Sequence, residues 1–183
     1  MTTSTSRWKR YVVGPDSEGR STVLAEEPTN VQSRKGFYWR ATLWATSEFP
    51  PDNTIEGDRS AGISTREPLP GGLIYRALEI PPDATDTAEH RRVLADLNHQ
   101  VHQKHEPSEA DLARHPSMHR TDTLDCITCV LGEIYLVTDT GEVPMRPGDT
   151  VVIRGTNHAW SNRSDSPCLL IGTMVDATRP DPN

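Results

Sequence analysis

The sequence predicts an all-β, single-domain protein built as a jelly-roll barrel or sandwich. In its second half, short apolar segments alternate with turn sequences, which is typical of such folds. The 12 glycines and 15 prolines among 183 residues favour many turns over a helix bundle. A chain of this length forms one domain with a substantial core and is short for two. Only 34% of the residues are hydrophobic, which predicts long solvated loops rather than a second core.

The charge and hydropathy of the chain exclude several classes of partner. A net charge of −7 argues against a nucleic-acid partner, because phosphate binding needs an excess of lysine and arginine. No apolar run reaches the roughly 18 residues that a membrane span needs. The Ser/Thr-rich start of the chain, Met1 to Arg10, lacks an apolar signal core, so we expect a cytoplasmic protein.

The three cysteines, Cys126, Cys129 and Cys168, do not form an obvious redox or zinc motif. Cys126 and Cys129 lie in one apolar run, and residues three apart on a strand face opposite sides. We therefore interpret the cysteines as small buried thiols in a reducing compartment.

The first half of the chain alternates strands with long polar segments. We expect a disordered tail over residues 1–9, one domain over 10–177 and a second tail over 178–183. The segment Ser47–Pro70 is polar and proline-rich, which indicates a long loop of the kind that is either functional or disordered. The predicted strands are Tyr11–Val13, Ser21–Leu24, Phe37–Trp44 and Gly72–Ile80.

One helix is predicted, from Asp86 to about Lys104. Asp86 and Glu89 have the spacing of a capping box. An apolar face follows at helical spacing, so one side of the helix must be buried. We expect this face to cover an open end of the barrel as a lid, with Ser47–Pro70 completing the rim; the alternative is a helix on the outside of a sheet. The face consists of Val93, Leu94, Leu97 and Val101.

The remainder of the chain reads as strands separated by recognisable turns. Asp139–Glu142 has the composition of a hairpin loop. Arg146–Asp149 places proline and glycine at the central positions of a type II turn. The predicted strands are Leu124–Leu131, Glu133–Thr138, Val143–Met145, Thr150–Arg154, His158–Asn162 and Cys168–Val175.

Two of these regions carry the residues that indicate chemistry. His119, Thr121, Thr123 and Asp125 have the same parity, so on a continuous strand they face one side, and Ile127, Cys129 and Leu131 continue that face. His158, Trp160 and Asn162 share a face in the same way. Two histidines and one carboxylate, with positions left for water or substrate, suit Fe(II), Mn(II) or Zn(II).

These segments resemble the two motifs of the cupin family. The first motif reads His-x-His, three or four residues, Glu, six residues, Gly; His119, Asp125 and Gly132 match it in this chain. The second motif is matched by Gly148, His158 and Asn162, after a shortened turn. The resemblance covers about 60 residues, within 115–177, plus a weaker likeness in the leading strands.

The resemblance implies a cupin barrel with one divalent metal (zinc, iron or manganese) held by His119, Asp125 and His158. Thr121 replaces the second histidine of His-x-His, and Arg154 replaces a proline of the second motif. His115, four residues before His119, is a candidate substitute ligand or general base. Arg76 and Arg154 are candidates to face the cavity and bind a carboxylate. Thr121, Cys129 and Trp160 are expected to line the substrate pocket.

Three functions remain open on the sequence. The first is a lyase or isomerase, including decarboxylase and dehydratase variants, in which the metal stabilises an enolate of an oxygenated substrate. The second is a non-haem Fe(II) dioxygenase, and the third is a small-molecule-binding protein without turnover. Exposed sheet edges and the aromatic strand near the N-terminus favour a homodimer.

Overall fold

Two packed antiparallel sheets form the body of the protein. The computed structural model describes residues 9–26, 30–34, 38–84 and 87–178. Its strands are β1 (Val12–Pro15), β2 (Ser21–Ala25), β3 (Asn30–Arg34), β4 (Tyr38–Thr46), β5 (Leu73–Ile80), β6 (Thr123–Leu131), β7 (Ile134–Val137), β8 (Glu142–Met145), β9 (Thr150–Arg154), β10 (Ala159–Ser161) and β11 (Cys168–Asp176). The larger sheet has the order β3-β4-β5-β11-β6-β9 and the smaller one β10-β7-β8, while β1 and β2 form a separate hairpin. This is the predicted all-β jelly-roll architecture.

The main hydrophobic core lies between the two sheets. Strands of the larger sheet contribute Cys129, Ile153 and Leu170, and strands of the smaller sheet contribute Ile134, Leu136 and Trp160. Alternation of side chains along each strand sends these residues inward. Their burial fixes the register of the strands, because a slip by one residue would turn the apolar set toward water.

The turns between the strands follow the sequence prediction. Gly148 has a φ of 97°, and the Asp149 amide donates to the Arg146 carbonyl at 2.9 Å. A type II turn needs positive φ at that position, which glycine adopts without steric cost. Gly132 has a φ of 80° and follows β6 directly. A side chain there would meet the Pro167 carbonyl oxygen at 3.0 Å, so the position is also restricted by space.

The described residues form two helices before β6, where the sequence predicted one. Helix α1 spans Thr87–Gln100, and α2 spans Glu109–Arg114. The predicted cap at Asp86 lies outside the described residues. Ser108 and Asp111 form a capping box at the start of α2. Six residues are too few to show helical periodicity, so this box was the only sequence signal for α2.

Two further strand predictions need correction. Strand β3 was not predicted, because Asn30–Arg34 has no apolar alternation; it forms by pairing with β4. Leu131 was expected to face inward but is 62% exposed. Leu170 pairs with Cys129 and Leu169 with Leu131, so a bulge near the end of β6 reverses the alternation.

Other predictions concern the ends and the long loop. The segment 47–70 contains no helix or strand, as predicted. Residues 1–8 and 179–183, which hold most of the two predicted tails, lie outside the described part, as does Phe37 of the predicted aromatic strand. Neither described helix has the length and apolar character needed to cross a membrane.

Candidate functional site

The structure brings His119 and His158 side by side. Their backbones form an isolated antiparallel bridge, with each amide donating to the other carbonyl at 2.9 Å. The two imidazole rings lie with centroids 4.3 Å apart. The prediction that two distant segments come together at these histidines is therefore confirmed.

Backbone carbonyls orient both rings in the same way. The Nδ1 of His119 donates to the Ser117 carbonyl at 2.8 Å, and the Nδ1 of His158 donates to the Thr156 carbonyl at 3.0 Å. Each Nε2 is thereby left with its lone pair, which is the tautomer of a metal-ligating histidine. Burial lowers the pKa of His119 well below its usual range and that of His158 to about 4, so both rings are neutral near pH 7.

Asp125 lies buried on β6, 2% exposed, and its Oδ1 has no hydrogen-bond partner. Burial raises the pKa of this carboxyl to about 6, against the lowering effects of the Thr123 hydroxyl and the Arg76 charge. Thr121 is also buried, and its hydroxyl bonds with that of Thr123 at 2.6 Å. The prediction that Thr121, Thr123 and Asp125 face inward is thus confirmed.

The predicted three-ligand metal centre is not assembled. Among the described residues, no three histidine, cysteine or acidic side chains converge in a metal-binding group. The two histidines fit a metal by tautomer and spacing, but Asp125 does not join them. Aspartate is one methylene shorter than glutamate, about 1.5 Å of reach, and Thr121 supplies no imidazole. The donor set therefore does not fit a three-ligand centre.

We expect Thr121→His to complete such a centre. The new imidazole would take the buried position of Thr121, two residues from His119, and a third nitrogen ligand should tighten Zn²⁺ binding by at least about tenfold. Competition with a chromophoric chelator measures this affinity. Thr121→Val is the matched control and should leave zinc affinity unchanged. Equal zinc affinity in the histidine and valine variants would show that position 121 does not point at the pair.

A cavity of about 210 Å³ has Trp160 in its wall, while His119 and His158 are not among its lining residues. Trp160 contacts His158 edge-on, with ring centroids 5.9 Å apart. The volume suits a small molecule rather than a polymer. The polar side chains of the wall are Arg40, Arg66, Arg76, Asp83, His115, Ser117 and Asp125. Small-molecule sites combine a few convergent polar groups with an apolar lining in this way.

Positive charge is concentrated at the larger sheet. Arg76 on β5 is 8% exposed, and it donates to the backbone carbonyls of Arg66 and Thr65 at 3.0 and 2.9 Å. Burial, together with the charges of Arg40 and Arg66, lowers its pKa well below the usual range, while Asp125 opposes this effect. The expectation that Arg76 faces a cavity is correct.

His115 stands in the same wall with an acidic neighbour. Its Nδ1 accepts from the Ser117 amide at 3.2 Å, so the ring proton lies on Nε2, which is 4.0 Å from Asp83 Oδ2. Burial raises the pKa of Asp83, but its contacts with His115, Ser161 and Asn162 lower it overall. The Ser161 hydroxyl donates to Asp83 at 2.6 Å, which holds the carboxylate in place. His115 is thus an oriented proton donor at the cavity.

Helix α1 covers this cavity. Leu94, Leu97 and Val101 line it, and Val93 is buried on the same face. Arg66 lies in the long loop. Its backbone amide donates to the Val101 carbonyl at 3.0 Å, and its guanidinium donates to Asn98 Oδ1 at 2.8 Å. Of the two positions predicted for the helix, the structure has the one over the cavity rather than the one on the outside of a sheet; its action as a lid stays a prediction.

Three other residues predicted to face the cavity are not among its lining residues: Thr121, Cys129 and Arg154. Arg154 is exposed, because Ile153 takes the inward position on β9, so the expectation that it faces the cavity is wrong. Cys129 is fully buried in the core, with its sulfur 3.8 Å from that of Cys168, and it does not belong to the cavity wall. Asn162 does not act in the cavity either; its amide donates to the carbonyls of Ile80 and Ser166 at 2.9 Å.

Sequence reasoning missed Asp83 and Arg66. Both lie in segments without regular structure, where neither parity nor helical spacing assigns a direction to a side chain. The one available signal applied to Arg66: it lies in a polar loop of more than 20 residues, which is uncommon in a compact domain unless it serves a function.

Comparison with known proteins gives two relatives that align along most of the chain. Phomopsin biosynthesis cluster protein D of Diaporthe leptostromiformis is 52% identical over 180 residues, covering 92% of this chain and 76% of the relative. Phomopsin biosynthesis cluster protein C' of the same fungus is 32% identical with the same coverage.

A family model and a solved structure are also similar to this chain. A Cupin domain model matches residues 101–175, which include both histidines and Asp125. The Schizosaccharomyces pombe Cnp3 cupin domain is similar to 93% of this chain and 89% of its own, with 11% identity and a TM-score of 0.47. The two motifs and the Cupin domain model over residues 101–175 show that the chain belongs to the cupin superfamily.

Proposed function

We propose that this cupin is a lyase or isomerase that moves a proton on a small organic acid in the cavity beneath α1. One observation carries the proposal: a buried carboxylate, an oriented imidazole and a buried guanidinium line the same small cavity. These are Asp125, His115 and Arg76. Their chemistry is that of a general base, a general acid and an electrostatic stabiliser of developing negative charge.

Each group has one step. Asp125 accepts a proton at Oδ1 from the carbon next to the substrate carboxyl or carbonyl group. The electron pair of that C–H bond moves toward the oxygen, whose charge Arg76 stabilises. His115 acts as the imidazolium, with its Nδ1–H donating to the Ser117 hydroxyl; it gives the Nε2 proton to a leaving hydroxyl in a dehydration, or to a second carbon in an isomerisation, and becomes the neutral imidazole. The Asp83 carboxylate stabilises the imidazolium before it gives up that proton.

The cover formed by α1 supports a reaction of this type. Excluding water strengthens electrostatic interactions within a site and protects a carbanion-like intermediate from the solvent. The names of the two fungal relatives refer to a biosynthesis cluster, which also favours a role on a small organic molecule.

Deuterium exchange tests the proposal without knowledge of the natural substrate. The protein is incubated in D2O with short-chain 2-oxo, 3-oxo and 3-hydroxy acids, and exchange next to the carboxyl or carbonyl group is followed by NMR. We expect at least one class to exchange with the wild-type chain above the buffer rate. His115→Gln should keep this exchange but lose product formation by about 10²-fold or more, because it retains the base and lacks the acid. Absence of enzyme-dependent exchange in all three classes contradicts the proposal.

A further inference from the structure

Arg76 carries a buried charge that the described residues do not neutralise. Its side chain forms no ion pair within 4.0 Å in the described part of the chain, and its Nε has no hydrogen-bond partner there. Its two described oxygen acceptors are backbone carbonyls, which are neutral. A buried cation without a counter-ion is costly, and proteins usually supply a partner. The cavity that Arg76 faces is the space available for that partner.

Three neighbours of Arg76 define the charge of this part of the cavity. Arg66 and Arg40 line the same wall, and their charges act on Arg76. Asp125 also lines it and is the acidic group whose charge favours the Arg76 cation. The three arginines favour an anion, whereas the carboxylates of Asp125 and Asp83, which line the same cavity, penalise one of high charge. A monoanion satisfies both conditions better than a dianion.

The rest of the wall is apolar. Leucine side chains of α1 close one side, and strand residues of the larger sheet form the other. A hydrophobic lining favours an apolar body on the ligand, at about 25 cal/mol for each Å² removed from water. The apolar side chains are Leu78, Ile80, Leu94, Leu97, Trp160 and Leu170.

We infer that the ligand of this cavity is an organic monocarboxylate with an apolar body, whose carboxylate binds Arg76. A guanidinium donates a planar fork of N–H groups that matches a carboxylate, and the orphaned Nε belongs to that fork. The apolar body then lies under α1 against Trp160. This inference rests on the cavity of the proposed function and names its substrate class, but it concerns binding and requires no turnover.

Isothermal titration of the full chain tests the inference. The probes are straight-chain carboxylates from butyrate to octanoate, each paired with its amide, and hexyl phosphate. We expect the best carboxylate to bind at least about tenfold more tightly than its amide, a difference of about 1.4 kcal/mol. Arg76→Gln should reduce carboxylate affinity to that of the amide, and Arg76→Lys should restore part of it. The control Arg146→Gln, at an exposed turn, should leave affinity unchanged.

Three results overturn the inference: equal affinity for acid and amide, tighter binding of hexyl phosphate than of hexanoate, or undiminished carboxylate affinity in a folded Arg76→Gln variant. If that variant does not fold, the comparison of acids with amides on the wild-type chain decides alone. Carboxylate selectivity without deuterium exchange contradicts the proposed function and leaves this inference standing. Deuterium exchange without carboxylate selectivity contradicts this inference and leaves the proposed function standing.

Discussion

Asp125→Asn is expected to abolish deuterium exchange while making the protein more stable at alkaline pH. The asparagine keeps the size of the side chain but accepts no proton from carbon, so the rate of exchange should fall by about 10²–10⁴-fold. The wild-type carboxyl has a pKa of about 6 because it is buried, against 3.8 for an unperturbed group. Function and stability thus place opposite demands on this residue.

The sign of the stability effect follows from this raised pKa. The folded chain binds the Asp125 proton more tightly than the unfolded chain does. The stability associated with that proton is fully present below pH 3.8 and is lost as the pH rises through about 6. The 2.2-unit difference corresponds to up to about 3 kcal/mol above pH 6. Asp125→Asn should therefore unfold at higher urea concentration than wild type at pH 8, and at a similar concentration at pH 4.

A second titrating group makes the comparison with wild type necessary. Burial lowers the pKa of His158 to about 4, so every variant that retains it loses stability as the pH falls from 6.5 toward 4. Subtracting wild type from Asp125→Asn cancels this contribution. Cys126→Ser, at the exposed neighbouring position, controls for changes in β6 itself. An asparagine variant with wild-type exchange, or one less stable at pH 8, contradicts the role assigned to Asp125.

Leu97→Asp is expected to open the lid at a cost of about 3 kcal/mol or more in unfolding free energy. Leu97 is 7% exposed and lines the cavity, so the substitution buries a carboxylate in an apolar wall. Arg66 ties the loop to Asn98 and Val101 at the end of α1. We therefore expect α1 and this part of the loop to detach together, before the sheets unfold. Carboxylate binding should be lost with it.

Hydrogen exchange with mass spectrometry separates local opening from global unfolding. Amides of 87–104 should exchange faster in Leu97→Asp, while those of β6 and β7 keep their protection. Ala95→Asp adds the same charge at an exposed position of the same helix and should change stability by no more than about 0.5 kcal/mol. Faster exchange throughout both sheets, together with intact carboxylate binding, would show that α1 stabilises the fold without acting as a lid.

The sequence alone determined the features that depend on short-range periodicity. Strand alternation placed Thr121, Thr123 and Asp125 inward, and the turn residues at Pro147 and Gly148 located the turn between β8 and β9. Helical spacing identified the buried face of α1. The two histidines were found because their spacing matches the cupin motifs. Each of these signals is a local rule that a single segment obeys.

Only the tertiary structure decided which groups share a cavity. A bulge turned Leu131 outward, and the parity of β9 left Arg154 in solvent, because pairing with neighbouring strands overrides a simple count. Asp125 faces inward as predicted yet does not join the histidines, since convergence depends on distances that spacing does not contain. The irregular segments brought Asp83 to His115 and Arg66 to Arg76 and α1. Those contacts arise from packing between segments far apart in the chain, where no periodic pattern assigns a direction to a side chain.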